Sequence, residues 1–212
     1  MKTKVYILAG FVLTLPVGLL ALQARAESAS LPEDTIKAAF LYKFINFVDW
    51  PQAKIADSNQ PITIGVIGSR DFLKFLEPIK QKKNKGRKIA VRYLSGYEKL
   101  KKSPKADDPQ WSKKIETLKT CHVLFLYAYD FKPIESSDRI IKALKGSPVL
   151  TVSETGGFLE SGGMINFLRE GKKARFEINN RAARQATLKI RSKLLRLAKR
   201  VIDEEASDET RN

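Results

Sequence analysis

The sequence predicts an α/β fold: a single domain with a mainly parallel central sheet, helices on both faces, and an added C-terminal β-hairpin. Three observations predict it. From Glu33 to Val152, short runs rich in β-branched residues alternate with segments of helical period. Glycine, proline or small polar residues punctuate most of the junctions. Beyond Ser153, two strand-like segments flank a tight turn, as a hairpin requires. The chain of 212 residues shows neither an internal repeat nor a second domain.

The elements follow in order. Glu33 to Trp50 carries Ile36, Phe40, Phe44, Phe47 and Val48 on one helical stripe. Leu41 and Ile45 widen that stripe, so the helix is expected to be buried on more than one side, and Pro51 is expected to end it. Ile62 to Gly68 is a strand, followed by a turn at Ser69-Arg70-Asp71 and a helix to Ile79 that Ser69 would cap. Lys88 to Leu94 alternates as a half-exposed strand. Ser95 to Gln110 is a polar surface excursion with a helical turn at Tyr97 to Lys102, and residues 111 to 119 return as a helix. Val123 to Tyr127 is a buried strand, Pro133 to Lys145 a helix stopped by Gly146, and Val149 to Val152 a fourth strand. Met164 to Leu168 and Lys173 to Asn179 form the hairpin around Glu170-Gly171-Lys172. Last come Arg181 to Gln185, a Leu188/Ile190 segment, an amphipathic helix with Leu194, Leu195, Ala198 and Val201, and an acidic tail from Asp203.

The N-terminus has the order of a signal peptide. Lys2 and Lys4 precede an apolar run from Val5 to Leu22, and Ala24 and Ala26 form a small-x-small pair, so cleavage is expected after Ala26. Residues 1–26 are then the leader and residues 27–212 the mature domain. An uncleaved anchor is the rival reading, but Pro16 and Gly18 interrupt the run. The mature chain is expected to be soluble and periplasmic. The formal charge is +16, and removing Lys2, Lys4 and Arg25 leaves 36 basic against 23 acidic groups, or +13. In an exported protein such a charge argues against nucleic acid. It suits lipid headgroups or an acidic protein face, or is simply a solvated surface. Cys121 is the single cysteine, so no intrachain disulfide is possible, and its place at the head of Cys121-His122-Val123-Leu124-Phe125-Leu126 favours burial over an intersubunit link.

Catalytic chemistry has little to build on. His122 is the single histidine and opens a core strand, so a nucleophile and base pair is improbable and the chain is not expected to be an enzyme. Histidines and carboxylates lack metal-ligand spacing, and no cofactor is expected. Gly65-Val66-Ile67-Gly68 lacks the three-glycine pattern of a pyrophosphate site and is better explained by packing. A small ligand would sit beyond the carboxyl ends of the strands, where Ser69, Arg70 and Asp71, then Tyr129 and Asp130, then Ser153 and Glu154 are found. Arg70 beside a helix start could hold an anion or be solvated. On the last long strand, Arg175, Glu177 and Asn179 share the face opposite Phe176 and Ile178. Phe158, Leu159, Met164 and Ile165 stand on glycine-flanked backbone, suited either to a partner's pocket or to this chain's own core.

Several pieces together resemble a known family. Lys37-Ala38-Ala39-Phe40-Leu41-Tyr42-Lys43-Phe44, Phe47-Val48-Asp49-Trp50-Pro51, Ile64-Gly65-Val66-Ile67-Gly68, Cys121-His122-Val123-Leu124-Phe125, Leu150-Thr151-Val152-Ser153, Gly162-Gly163-Met164-Ile165-Asn166-Phe167, Phe176-Glu177-Ile178-Asn179 and Leu194-Leu195-Arg196-Leu197-Ala198 are, in order, similar to segments of the YfiR-like periplasmic regulators (DUF4154). The resemblance implies a homodimeric regulator that holds a membrane-bound diguanylate cyclase inactive by binding its periplasmic sensor domain, which lowers cyclic-di-GMP and biofilm formation. A histidine kinase or other sensor is the alternative partner, with this chain as its small-ligand-binding module. Relatives bind small molecules near an Arg-Phe-x-Ile-Asn stretch, which makes Arg175 the foremost ligand candidate, with Glu177, Arg70 and Ser69 beside it. The cysteine pairs of better-known members are absent here, so their redox switch within one subunit does not carry over.

Overall fold

A computed structural model describes residues 32–97, 109–128, 136–170 and 173–203. The expected leader, the acidic tail from 204 on, Tyr129 and Asp130, residues 98–102 of the expected surface turn, and Gly171-Lys172 of the hairpin turn lie outside the described residues. Among the described residues, no helix is long and apolar enough to cross a membrane.

The first helix, α1 (Glu33–Phe47), buries Ala38, Leu41, Phe44 and Ile45. It stops three residues before Trp50 because a distant partner captures the backbone there. Val48–Asp49 is a short strand, β1, paired antiparallel with β9 (Lys189–Ile190). The Asp49 carboxylate locks this join, accepting from Arg191 at 2.9 and 2.7 Å and from Lys85 at 2.9 Å. A sequence window around Trp50 cannot show a partner about 140 residues away.

Five strands build the parallel sheet: β2 (Ile62–Ile67), β4 (Arg87–Tyr93), β5 (Val123–Leu126), β6 (Leu150–Ser153) and β7 (Ile165–Glu170). Their spatial order is β4-β2-β5-β6-β7, with every neighbouring pair parallel. The hairpin is formed as expected: β8 (Lys173–Asn179) runs antiparallel to β7, from Ile165 opposite Ile178 to Glu170 opposite Lys173. At the other edge the sequence missed β3 (Lys83–Asn84), which turns back on β4.

Helices cover both faces. On the first, α1, α2 (Leu73–Lys80) and α6 (Ser192–Leu195) pack on Ile62, Ile64, Val66, Val123, Phe125, Val152, Phe176 and Ile178. The rings of Phe44 and Phe176 meet edge-on at 5.3 Å, an arrangement favourable beyond the area buried. On the second face, α3 (Pro109–Lys119) and α4 (Ser137–Leu144) cover Ile67, Leu124 and Leu126 with Ile115, Leu118, Ile140 and Leu144. Gly65 is needed for this packing, since a Cβ there would lie 2.7 Å from Leu94 and 2.8 Å from the Cys121 sulfur. Cys121 is a fully buried free thiol.

Two further local expectations fail. Ser69 does not cap α2: that helix starts at Leu73 with Phe72 in the capping position and no side-chain cap, the preceding turn being closed by the Leu73 amide on the Arg70 carbonyl at 3.1 Å. The C-terminal helix ends at Leu195, and Val201–Ile202 instead forms β10, parallel to β8. The open edge of β8 draws the chain in, as Lys199 N–H donates to Phe176 O at 2.8 Å and Ile178 N–H to Arg200 O at 2.9 Å. Unpaired edge groups of that kind outweigh a weak helical stripe.

Between β6 and β7 the chain crosses without a helix, and Phe158 plugs the crossing. Its ring lies on Gly163, where a Cβ would approach the ring atoms to 2.2 and 2.4 Å. Gly163→Ala is therefore expected to destabilise the fold by about 2 kcal/mol through overpacking, read as a lower midpoint in urea with an unchanged slope.

Candidate functional site

In an open parallel sheet, a crevice forms where successive crossovers leave a strand in opposite directions. Here that strand is β2, flanked by β4 and β5. Its carboxyl end carries half-buried Ser69 and exposed Arg70, and the Arg70 guanidinium lies over the Tyr93 ring at 4.8 Å. Stacking holds Arg70 at the mouth of β4 without burying its charge.

Beside it, the first turns of α1 meet the ends of β5 and β6 in a buried charge cluster. Lys37 is 5% exposed, and its ammonium contacts Glu33 at 3.0 Å, Asp34 at 3.5 Å and, closest of all, the Glu154 carboxylate. Glu154 is 2% exposed, and its other oxygen accepts from the Ala128 amide at 3.1 Å. Burial by itself lowers Lys37, but Glu154 and Glu33 outweigh it and raise the ammonium pKa. Burial pushes the Glu154 carboxyl up, and Lys37 and the Ala128 amide pull it back only in part. The Tyr127 hydroxyl donates to Asp34 at 3.3 Å and is pushed up to about 12, first by burial and then by that carboxylate. The cluster ties the N-terminal helix to two strand ends.

A second polar assembly occupies the far face of β6, β7 and β8. The Ser153 hydroxyl donates to Leu126 O at 2.9 Å, and the Thr155 amide to Asn166 Oδ1 at 3.0 Å. Asn166 in turn donates to Glu177 at 3.3 Å. The second Glu177 oxygen accepts from Arg200 Nε at 2.7 Å, and Arg200 reaches on to Glu160 at 2.8 Å. Asn179 donates to Leu159 O and accepts from the Ala182 amide, both at 2.9 Å, capping α5 (Asn180–Gln185). These bonds satisfy polar groups that would otherwise be costly beneath the 154–164 crossing.

The expected row of Arg175, Glu177 and Asn179 does share this face, but its members differ. Glu177 and Asn179 are buried and committed to internal partners, while Arg175 is exposed. Arg175 makes no ion pair among the described residues. Arg70 and Arg175 are not brought together: β2 and β8 are four strand spacings apart, roughly 19 Å. Phe158, Leu159, Met164 and Ile165 are 3%, 1%, 4% and 0% exposed. Phe158 and Leu159 pack on Ile141, and Met164 and Ile165 belong to the main core. As they stand, the four cover this chain's own interior. Exposed apolar side chains lie instead at Leu197 and Val201, beside the β10 edge.

His122 is held inside the sheet. Its Nδ1 accepts from the Thr63 amide at 3.1 Å, its ring meets Trp50 at 5.7 Å, and burial, with Lys54 and Arg87, lowers its pKa to about 4. Among the described residues, no group of three or more His, Cys, Asp or Glu could hold a metal ion. Sequence reasoning named Glu154 but missed Lys37 and Arg200. For Lys37 a signal existed, a lysine beside the apolar stripe with acids three and four residues before it. For Arg200 there was none.

A solved structure shares the fold. A conserved domain protein from Vibrio cholerae O1 biovar El Tor aligns with a TM-score of 0.53 at 11% identity, covering 81% of this chain and 61% of that one. This chain thus spans less than two thirds of that protein, and at such identity the likeness concerns the fold alone. The ABC domain in complex with L-Trp from Streptococcus pneumoniae aligns at 0.45 with 12% identity, over 66% of this chain and 55% of that one, too loosely to carry an argument. No curated protein matches. The YfiR/HmsC-like family (DUF4154) matches from residue 34 to residue 199, from the first turn of α1 to the approach to β10. This chain therefore belongs to the YfiR/HmsC-like family, a family of periplasmic regulators.

Proposed function

We propose that this chain is exported behind residues 1–26 and acts in the periplasm, as a homodimer, to hold an inner-membrane diguanylate cyclase inactive by binding its periplasmic sensor domain. The observation that carries the reading is the family match across residues 34–199, which takes in nearly every described element. The net charge of the mature chain supports association with an acidic partner face, where steering raises the encounter rate. Leu197 and Val201 supply exposed apolar area for the contact.

Deleting the gene is expected to raise cellular cyclic-di-GMP. Restoring the full chain should reverse the rise, and a chain lacking residues 1–26 should not. Unchanged cyclic-di-GMP in both directions would remove the cyclase from the proposal and leave a subunit of another sensor, such as a histidine kinase. Arg175, exposed and without an ion pair among the described residues, favours that second reading as the anion-holding residue of a ligand-binding module.

A further inference from the structure

At the amino-terminal ends of β6 and β7, away from the rim that carries Lys37 and Glu154, a cleft of about 710 Å³ opens between α4, the 159–162 loop and α5. Its volume is that of a small-molecule site. Ile141, Leu159 and Met164, each under 5% exposed, give it an apolar floor, and Ile202 of β10 closes one side. Gly162 brings the loop this close to α4: its φ is +97°, and a Cβ there would already touch Ile141 at 3.4 Å.

The rim is cationic. Lys142 and Lys145 come from the end of α4 and Arg181 from α5. Among the described residues none of the three makes an ion pair. The carboxylate that does line the cleft, Glu160, is already held by Arg200 at 2.8 Å. Arg184, the other arginine of α5, is likewise taken up by Asp203. Three cations facing one apolar hollow repel one another, and low-dielectric walls strengthen the field they share.

We infer that this cleft binds a small amphipathic anion, a single carboxylate or phosphate on an apolar body, with its head on Lys142, Lys145 and Arg181 and its body on Ile141, Leu159 and Met164. The site is separate from the Arg175 position, and the inference does not rest on the cyclase reading. Occupancy would act on the same loop that Arg200 ties to Glu177.

The test is calorimetric titration of the full mature chain with monomeric octyl phosphate, and separately with inorganic phosphate, octanol and phosphatidylglycerol vesicles. One octyl phosphate per chain is expected to bind, far more tightly than phosphate or octanol. The triple variant Lys142→Gln/Lys145→Gln/Arg181→Gln should weaken it roughly 10- to 100-fold, with an unchanged thermal melt. Lys80→Gln/Lys88→Gln/Lys189→Gln removes the same charge elsewhere and should change it by less than about twofold. Ala182→Phe, which fills the cleft without altering charge, should abolish binding. Equal losses in the two triple variants, no binding of octyl phosphate, phosphate binding as tightly as octyl phosphate, or binding to vesicles alone would each overturn the assignment.

Discussion

Lys37→Met is expected to destabilise the protein by about 3 kcal/mol or more at pH 7, because it leaves the Glu154 carboxylate buried without its ammonium. The geometry leaves Glu154 little relief, since it is 2% exposed and keeps a single amide donor, Ala128. Glu154→Gln should cost much less, about 1 kcal/mol, because Lys37 retains Glu33 and Asp34. The double variant Lys37→Met/Glu154→Gln should recover most of the loss, a coupling that a double-mutant cycle in urea measures directly. The pH dependence has a definite sign. Burial raises the Glu154 pKa in the folded state, so its protonated form favours folding and stability falls as pH rises through that raised value. In Lys37→Met the pull of the ammonium is gone, so the deficit should shrink as pH is lowered from 7 towards 5. A deficit that is the same at both pH values would mean that Glu154 is not the origin of the cost.

The second large effect is acid sensitivity at His122. The ring is buried with Nδ1 accepting from Thr63, and its folded pKa of about 4 lies below the ordinary 6.5. The unfolded chain therefore takes up a proton that the fold refuses. Stability from this residue is complete above pH 6.5 and is lost as pH falls towards 4, a loss of about 3 kcal/mol. His122→Asn keeps an acceptor near Nδ1 without the titration, so the difference in stability between the two proteins should narrow across this window. Asp49, held well below the usual carboxylate range by its hydrogen bond from Arg191, begins to lose its contribution only at the acid end of this window, and does so equally in both proteins. Parallel stability curves for the native and His122→Asn chains between pH 7 and 4 would rule out the imidazole as the source.

How much of this was legible in the sequence depended on the range of the cause. Ile62, Ile64 and Val66, then Val123 and Phe125, announce buried parallel strands because β-branched and aromatic runs between turn signals have few other uses. The alternation of Arg175, Phe176, Glu177 and Ile178 displays the two faces of β8, and the structure keeps those faces. By contrast, the end of α1 and the conversion of Val201–Ile202 to a strand depend on partners elsewhere in the chain. Asp49 meets Arg191 and Val201 lies beside Ile178, and local propensity is too weak to resist such contacts.

The candidate site divides in the same way. Sequence by itself determined the residue types and their faces: a glycine-flanked crossing, a polar row opposite Phe176 and Ile178, and one histidine at the head of a core strand. It also carried the order of segments that marks the family. Tertiary structure alone decided which of those side chains stay available. Phe158 and Leu159 turn inward because α4 supplies Ile141 to receive them. Glu177 is consumed by Arg200, whereas Arg175, one step nearer the hairpin tip, remains in solvent. The cationic cleft exists only because α4 and α5, more than 30 residues apart in sequence, end against one glycine-bearing loop. Periodicity records which face a side chain takes. Availability depends on what the rest of the chain brings to that face, and that is a property of long-range packing.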